Sequence, residues 1–265
     1  MLSAHYRFID THCHFDFPLF YDELPESLRL AQAAGVESII IPAVASSYFA
    51  RVLTLARTTP SLYAALGLHP LYIAEHHESD LSRLEEALRR LPAKLVAVGE
   101  IGLDGYMAEP QLERQLTFLT AQLRLAKEHD LPVILHSRRS HDKLAQLLRR
   151  MNMPRTGVIH GFAGSLAQAQ AFIRLGYYIG VGGTITYARA NKTRRAIAQL
   201  PLDRLLLETD APDMPMYGYQ GQPNRPERIA CVFHALCELR PESPAEIAKA
   251  LWQNSYRLFG RLTPT

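Results

Sequence analysis

Short apolar stretches alternate with longer amphipathic stretches along most of the chain. Eight of the apolar stretches have the length and the β-branched or small residues that are typical of buried strands. A helical pattern of apolar and polar positions follows each of them. The eight predicted strands cover residues 8–15, 38–43, 62–69, 95–104, 132–137, 157–162, 178–183 and 205–212.

The helical pattern is clearest between residues 109 and 129. Its leucines are spaced by four, three and four residues, which places them in one stripe along a helix. Pro110 is expected in the first turn, where a missing N–H costs least. The leucines of the stripe are Leu112, Leu116, Leu119 and Leu123.

Strict alternation of strands and helices predicts parallel strands joined by right-handed crossovers. Eight such units in 265 residues favour an α/β fold, a (β/α)8 TIM barrel that forms a single domain over residues 1–265. A doubly wound open sheet is the alternative, but the GxGxxG and GxxxxGK[ST] phosphate loops are both absent. Residues 244–260 predict one extra C-terminal helix that closes the barrel.

Composition narrows the class of protein only moderately. A net charge of +3 permits an anionic substrate without demanding one. The three cysteines, Cys13, Cys231 and Cys237, form no CxxC pair and no disulfide framework. The chain contains no run of about 18 apolar residues and begins without an apolar signal core. We therefore expect a cytoplasmic protein with no membrane contact and no obligate protein partner.

Polar residues that can bind metal ions lie at the C-terminal ends of six of the eight predicted strands. In a parallel barrel these ends meet at one mouth, where the chemistry of such folds takes place. Randomly placed residues of these types would be scattered over the fold. Their concentration at the strand ends therefore predicts a functional site at the mouth. They are His12, His14, His69, Glu100, Asp104, His136, His160 and Asp210.

Residues two apart on a strand share a face. His12 and His14 are therefore expected to point the same way, with Asp10 one layer deeper. Glu208 and Asp210 repeat this arrangement on the eighth strand. A buried polar role beside the metal ligands suits Glu208 at least as well as metal contact does.

So many ionisable groups in a barrel mouth need a partner, because burying unpaired charge is costly. A divalent cation such as zinc, manganese or magnesium accepts imidazole and carboxylate ligands. Four histidines and two carboxylates among these residues exceed what one tetrahedral ion needs. We therefore expect two divalent metal ions, roughly 3.5–4 Å apart, that share a carboxylate. Each residue alone also has a plainer interpretation, such as a hydrogen-bonded core histidine or a helix cap.

Candidate substrate contacts follow the same strand ends. Arg138 and Arg139 come directly after the fifth strand, and guanidinium groups suit phosphate oxygens, although a solvated helix start explains them too. The polar, proline-rich segment 220–228 is expected to lie over the mouth and to bring Asn224 or Arg225 to the substrate. His69 precedes Pro70 and is either a substrate contact or a hydrogen-bonded loop residue.

Six segments together resemble the TatD family of metal-dependent deoxyribonucleases, within the wider amidohydrolase-like barrels. They are FIDTHCHFDF, AALGLHP, VAVGEIGLD, LPVILHSR, GVIHGF and LLLETDAP, and they span residues 8–212. The resemblance implies that His12, His14 and Asp210 hold a first ion. It implies that His136 and His160 hold a second ion and that Glu100 bridges the two. It also implies that His69 and Asp104 line the substrate pocket.

Two segments depart from the family pattern. Pro223 stands where many members have an arginine before Asn-x-Pro, and Gly105 separates Asp104 from the aromatic Tyr106. Both departures lie in substrate loops, so they leave the metal centre untouched and the identity of the substrate open.

Three functions are compatible with these residues. The leading hypothesis is hydrolysis of a phosphodiester, in DNA ends, single strands or a small molecule, by a metal-activated water. Asp210 would accept its proton, Glu100 would complete the catalytic centre, and Arg138 would stabilise charge on the phosphoryl oxygens. The second is hydrolysis of a C–N or carboxylic ester bond in a small molecule. The third, a nucleic-acid-binding protein with a structural metal, fits poorly because such sites normally have four ligands.

Overall fold

The computed structural model describes residues 6–263, and these contain an eight-stranded parallel sheet. Each strand pairs with the next along the chain, in the order β1 to β8. Thr11 then donates from its backbone N to Leu207 O at 3.1 Å, which brings the last strand back beside the first. The strands are β1 Phe8–Asp10, β2 Val36–Pro42, β3 Leu62–Leu66, β4 Leu95–Asp104, β5 Val133–Arg138, β6 Gly157–Ile159, β7 Tyr178–Val181 and β8 Leu205–Leu207. The predicted (β/α)8 barrel is therefore confirmed, and the open sheet is excluded.

Helices fill the connections between successive strands. They are α1 Pro18–Tyr21, α2 Leu24–Ala33, α3 Phe49–Thr58, α4 Glu78–Arg90, α5 Leu112–Glu128, α6 His141–Met151, α7 Leu166–Arg174, α8 Asn191–Gln199, α9 Ile229–Leu239 and α10 Pro244–Leu258. The predicted extra C-terminal helix is α10. None of the helices in the described part of the chain is long and apolar enough to cross a membrane.

Several strands end earlier than the apolar pattern predicts. β1 stops at Asp10, β6 at Ile159 and β8 at Leu207, although the apolar stretches continue for three to five more residues. Beyond these points the backbone leaves the regular ladder and bonds across the mouth. Asp210 N donates to His12 O at 2.8 Å, for example. The side chains of the candidate site therefore project from irregular segments just past the strand ends.

The predicted start of α5 is wrong. The helix begins at Leu112, and Gln111 before it has a left-handed backbone with φ of 45°. Pro110 consequently lies outside the helix, where its carbonyl accepts a hydrogen bond from Gln115 Nε2. The apolar stripe of the helix is where the pattern placed it, and Leu119 and Leu123 are buried against the sheet.

Every strand contributes one large or branched side chain to a buried cluster inside the barrel. The C-terminal segment adds Leu258, Phe259 and Leu262 to the same cluster, which closes the end of the barrel opposite the mouth. A second, larger apolar cluster fills the layer between the sheet and the helices. The strand residues of the inner cluster include Ile9, Ile40, Tyr63, Val96, Ile134, Val158, Tyr178 and Leu206.

The helix α10 is held to the barrel by Asn254, which is almost fully buried. Its Nδ2 donates to Leu202 O and to Leu205 O, both at 2.9 Å. These two carbonyls lie at the start of β8, so a single amide ties the closing helix to the sheet.

Replacing this amide should destabilise the fold. We expect Asn254→Ala to lower the free energy of unfolding by about 2 kcal/mol, because it leaves buried carbonyls without a donor. Urea denaturation followed by circular dichroism measures the change. The exposed neighbour Gln253 on the same helix provides the control, since Gln253→Ala should change stability by less than about 0.5 kcal/mol. Equal effects of the two substitutions would contradict this account.

Candidate metal centre

The carboxylate of Glu100 lies at the middle of the barrel mouth. The whole of β4 is buried, and Glu100 itself is only 1% exposed. Its Oε2 faces two imidazoles, with His12 Nε2 at 3.1 Å and His14 Nε2 at 3.5 Å. This oxygen is therefore shared by the two histidines that follow β1.

The other oxygen of Glu100 faces a different set of histidines. His160 Nε2 lies 2.6 Å from Oε1, His69 Nε2 lies 2.8 Å from it, and His136 Nδ1 lies 3.2 Å from it. The two oxygens of a single carboxylate thus separate the imidazoles into two groups.

Asp210 joins the first group from the rim of the barrel. Its Oδ1 lies 3.4 Å from His12 Nε2 and 3.6 Å from His14 Nε2. Its side chain is 15% exposed, against 2% for that of Glu100, so it is the carboxylate of the centre that solvent reaches. The structure therefore brings all six predicted ligands together: His12, His14, Glu100, His136, His160 and Asp210. Whether they bind metal stays a prediction at this point.

Asp104 lies behind His136. Its side chain is completely buried, and its Oδ2 accepts a hydrogen bond from His136 Nε2 at 2.8 Å. Its Oδ1 accepts one from the backbone N of Tyr106, also at 2.8 Å. That Asp104 contacts substrate stays a prediction. In this structure the carboxylate orients His136 so that Nδ1 is left free to face Glu100.

Glu208 lies in an equivalent position behind His160. Its Oε1 accepts a hydrogen bond from Gly161 N and lies 3.7 Å from His160 Nδ1. The side chain is completely buried. This places Glu208 on the side of His160 away from Glu100, in the buried polar role that the sequence left open.

Asp10 does not share the face of His12 and His14, contrary to the simple alternation rule. Ile9 points into the barrel, and the Asp10 carboxylate accepts hydrogen bonds from Thr209 N at 3.0 Å and Thr209 Oγ1 at 2.6 Å. The strand ends at Asp10, so alternation no longer holds beyond it. Asp10 instead fastens the end of β1 to the end of β8.

Hydrogen bonds behind the imidazoles fix which nitrogen of each ring faces the centre. His14 Nδ1 donates to Pro42 O at 3.2 Å, which leaves Nε2 as the lone-pair nitrogen. His69 shows the opposite arrangement, because its Nδ1 accepts from Leu71 N at 3.0 Å. Its Nε2 must then carry the proton and point it at Glu100. His69 therefore acts as a hydrogen-bond donor toward the centre, whereas His14 and His136 offer lone pairs.

Burial lowers the pKa of His12, His14 and His69, whereas neighbouring carboxylates outweigh burial and raise the pKa of His136 and His160. Burial lowers the pKa of His12 well below its usual value and that of His14 to about 4, although the charge of Glu100 opposes the change. Burial alone would raise the pKa of Glu100, but His160, His69 and His12 outweigh it and lower this pKa strongly. Burial likewise opposes a rise at His160, yet Glu100 raises its pKa. Neutral imidazoles and a carboxylate are the forms that bind a divalent cation.

Buried polar atoms without a hydrogen-bond partner are a second observation that fits a metal site. Within residues 6–263, Nδ1 of His12 and Oε2 of Glu208 are buried without a hydrogen-bond partner. Such atoms are rare in folded proteins unless something else satisfies them. The ligand atoms of His12, His14 and Glu100 lie within 4.8 Å of one another, as do those of His69, Glu100 and His136. This donor set suits a divalent cation.

Two of the predicted substrate residues shape a loop. Asn224 is completely buried, and its Nδ2 donates to Thr209 O at 2.8 Å and Met214 O at 3.2 Å. Arg225 pairs with Glu227 and places its guanidinium over the ring of Phe20. These contacts hold the segment after β8 in shape, and contact of Asn224 and Arg225 with substrate stays a prediction. Arg138 remains an exposed residue of the mouth.

Sequence analysis missed two glutamines of α5 that position the strand ends. Gln115 Oε1 accepts from Asp104 N at 2.8 Å, and its Nε2 donates to Asp104 O at 3.0 Å. Gln122 pairs in the same way with both backbone groups of Leu68, next to His69. The signal was present, because two amides seven residues apart lie on one face of the helix with the buried Leu119.

Comparison with known proteins agrees with this geometry. The profile of the family described as "TatD related DNase" matches residues 9–260, which is nearly the whole chain. The chain belongs to the TatD family. The family assignment suggested by the sequence motifs is therefore confirmed, and this TatD protein is a metal-dependent hydrolase.

Individual relatives match the TatD protein over almost their full length. It is 63% identical over 253 residues to the uncharacterized metal-dependent hydrolase YjjV of Escherichia coli K12, covering 96% of this chain and 98% of the relative. An uncharacterized metal-dependent hydrolase of Haemophilus influenzae is 48% identical over 261 residues, with coverage of 96% and 99%. The crystal structure of YjjV superimposes with a TM-score of 0.96 at 61% identity, covering 98% of this chain and all of that one.

The contact between Asp104 and His136 makes a prediction about metal affinity. Asp104→Asn should weaken metal binding by about 10- to 100-fold, since the imidazole loses the carboxylate that orients it. Titration of the chelator-treated protein with Zn²⁺ or Mn²⁺ measures the affinity. Asp142→Asn, an exposed change in the first turn of α6, serves as the control and should leave it unchanged. Unaltered affinity in Asp104→Asn would rule out the orienting role.

Proposed function

We propose that the protein is a two-metal phosphodiesterase that acts on DNA, at strand ends or in single strands. The observation that carries the proposal is the separation of the imidazoles by Glu100, one group on each carboxylate oxygen. A carboxylate with a separate set of donors on each oxygen is the arrangement that bridges two cations. A structural site would instead use four ligands around one point.

The residues divide naturally between two ions. His12, His14 and Asp210 would hold the first with Oε2 of Glu100, and His136 and His160 would hold the second with Oε1. Two bound divalent cations would lower the pKa of a shared water and neutralise charge on phosphoryl oxygens. Zinc, manganese and magnesium all accept carboxylate ligands, and the imidazoles favour zinc or manganese.

Asp210 is the residue best placed to take a proton from the attacking water. Its Oδ1 lies at the rim beside His12 and His14, and its side chain is more exposed than that of Glu100, the other carboxylate of the centre. Burial raises the pKa of Asp210 well above its usual range, nearby His160 opposes the rise, and Glu100 and Glu208 add to it. A carboxylate with a raised pKa is a better general base than an ordinary one.

Groups around the mouth favour an anionic substrate. Arg138 and Arg139 are exposed at the end of β5, beside the centre. The Nε2 proton of His69 is donated to Oε1 of Glu100 and supports that carboxylate. The two guanidinium groups can bind the oxygens of a phosphate before and during hydrolysis. A neutral amide or lactone would leave the two cationic side chains without a role, so phosphodiester hydrolysis is the better supported function.

Metal stoichiometry tests the bridging role directly. The purified, reconstituted protein should bind about two ions per chain, as the shared-carboxylate arrangement requires. Glu100→Gln should reduce this to less than one ion, because both ions lose the same charged ligand. Elemental analysis after dialysis measures the content, and Glu113→Gln on the surface of α5 is the control. A single ion in the unaltered protein, or two ions in Glu100→Gln, would contradict the two-metal proposal.

Turnover tests the role of Asp210 and the class of bond. Asp210→Asn should lower kcat on a labelled oligonucleotide by about 1000-fold, within the range expected for loss of a general base. The exposed Asp213 in the same segment supplies a control, and Asp213→Asn should retain activity. Metal content is measured alongside each variant. Cleavage of amides or lactones, with no cleavage of any phosphodiester in the same panel, would favour the C–N or carboxylic ester alternative.

A further inference from the structure

A cavity of about 350 Å³ opens at the closed end of the barrel, opposite the mouth. Thr156 and Arg204, which line it, stand directly before β6 and β8. Tyr178 at the start of β7 and Leu258 of α10 line it too, and both belong to the inner cluster that fills the barrel. The packed interior of the barrel therefore separates this cavity from the candidate metal centre.

Three arginine side chains line the cavity, which we call the arginine pocket. Arg155 comes from the loop before β6, Arg204 from the turn before β8, and Arg257 from the last turn of α10. In residues 6–263 none of these three guanidinium groups is within ion-pair distance of a carboxylate, although those of Arg29 and Arg240 are. Like charges around one cavity repel each other, so a bound anion would relieve this repulsion.

Protein contacts hold two of these side chains at the pocket. Arg204 Nη1 donates to Gly176 O at 3.3 Å, and its guanidinium lies 5.3 Å from the centroid of the Tyr178 ring. Arg257 Nη1 donates to Asn254 Oδ1 at 3.2 Å. Each hydrogen bond uses one of the several N–H donors of a guanidinium. The remaining donors have no acceptor in the described part of the chain, so they are available to a ligand.

Arg155 makes no side-chain hydrogen bond to residues 6–263, and its guanidinium lies against Gly260. A Cβ added to Gly260 would come within 3.1 Å of Arg155 Nη2, so a side chain there would crowd the guanidinium. The partial negative charge of a helix C-terminus accounts for Arg257, which stands in the last turn of α10. It does not account for Arg155 and Arg204, which lie outside the α-helices. A bound anion accounts for all three.

Phosphate is the anion whose chemistry and size match the pocket. The planar fork of a guanidinium donates two parallel hydrogen bonds to phosphate oxygens, and several such groups together favour a doubly charged ligand. A phosphodiester of nucleic acid carries a single charge, so inorganic phosphate or a phosphate monoester is the better match. The volume of about 350 Å³ suits a phosphate with a small organic group attached.

We propose that the arginine pocket binds a doubly charged phosphate group, either inorganic phosphate or the monoester of a small molecule. The bound phosphate would join the segments before β6 and β8 to the end of α10 and would stabilise the closed end of the barrel. Because the pocket lies at the far end from Glu100, this binding does not require the phosphodiesterase function.

Isothermal titration calorimetry on the metal-loaded protein tests the pocket with inorganic phosphate, glycerol 3-phosphate and glycerol. Both phosphates should bind, and glycerol should not. Arg155→Gln should weaken phosphate binding by about 10-fold, the loss expected for one charge-assisted hydrogen bond. Arg155→Lys keeps the charge but loses the planar fork, so its affinity should be intermediate. Arg174→Gln, an exposed change in the last turn of α7, is the matched control and should bind like the unaltered protein.

The variant Arg138→Gln distinguishes phosphate bound at the mouth, because it removes a guanidinium there and leaves the pocket intact. Loss of binding in Arg138→Gln but not in Arg155→Gln would overturn the proposal. Equal binding by Arg155→Gln and the unaltered protein would do so too, as would binding of an oligonucleotide without terminal phosphates but of neither small phosphate. Equal affinities for the two phosphates would show that free phosphate is sufficient, whereas tighter binding of the ester would identify a phosphorylated small molecule as the ligand.

Thermal unfolding supplies a second readout. At about 100 times its Kd, phosphate should raise the Tm by about 5 °C, because it binds the folded chain and not the unfolded one. Arg257→Gln, which changes an exposed side chain and should leave the fold intact, should reduce this rise. Chloride at the same ionic strength is the control. An equal rise with chloride, or an undiminished rise in both Arg257→Gln and Arg155→Gln, would contradict a phosphate site at this end of the barrel.

Discussion

The structure depends on one buried carboxylate that five imidazoles surround. Glu100 is 1% exposed, and an isolated charge in such a position would be strongly destabilising. Its two oxygens are compensated by histidines that come from four other strand ends, so the cost is balanced only when the barrel is closed. Folding and assembly of the site are therefore the same event. A bound metal ion would further stabilise the negative charge of Glu100, which the histidines already stabilise in part.

Hydrogen bonds around the site determine which nitrogen of each imidazole carries the proton and which one faces Glu100. Pro42 O fixes His14, Asp104 fixes His136, and the backbone of Leu71 fixes His69 in the opposite tautomer. Helix α5 adds rigidity from outside, because Gln115 and Gln122 hold the backbone at the ends of β4 and β3. Helix α5 therefore supports the backbone next to Asp104 and His69 from outside the mouth.

The sequence predicted the barrel and the gathering of ligands because both rest on local signals. Alternating strands and helices dictate a parallel sheet, and ionisable residues at strand ends must then converge. The sequence did not predict the positions of side chains that depend on contacts between distant segments. Asp104 is withdrawn behind His136, 32 residues later, and Asn224 is buried against Thr209. Residue spacing alone does not show which polar side chain a partner will bury, nor where a strand leaves its ladder.

Asp104 connects His136 to the loop after β4. Its Oδ2 accepts from the His136 side chain, but its Oδ1 accepts only the backbone N–H of residue 106. Any residue except proline supplies that N–H, so the side chain at position 106 can change without moving the carboxylate or the imidazole. The geometry around Glu100 therefore does not depend on which side chain stands at position 106. This independence explains how an unusual Gly105-Tyr106 sequence is compatible with a complete set of ligands.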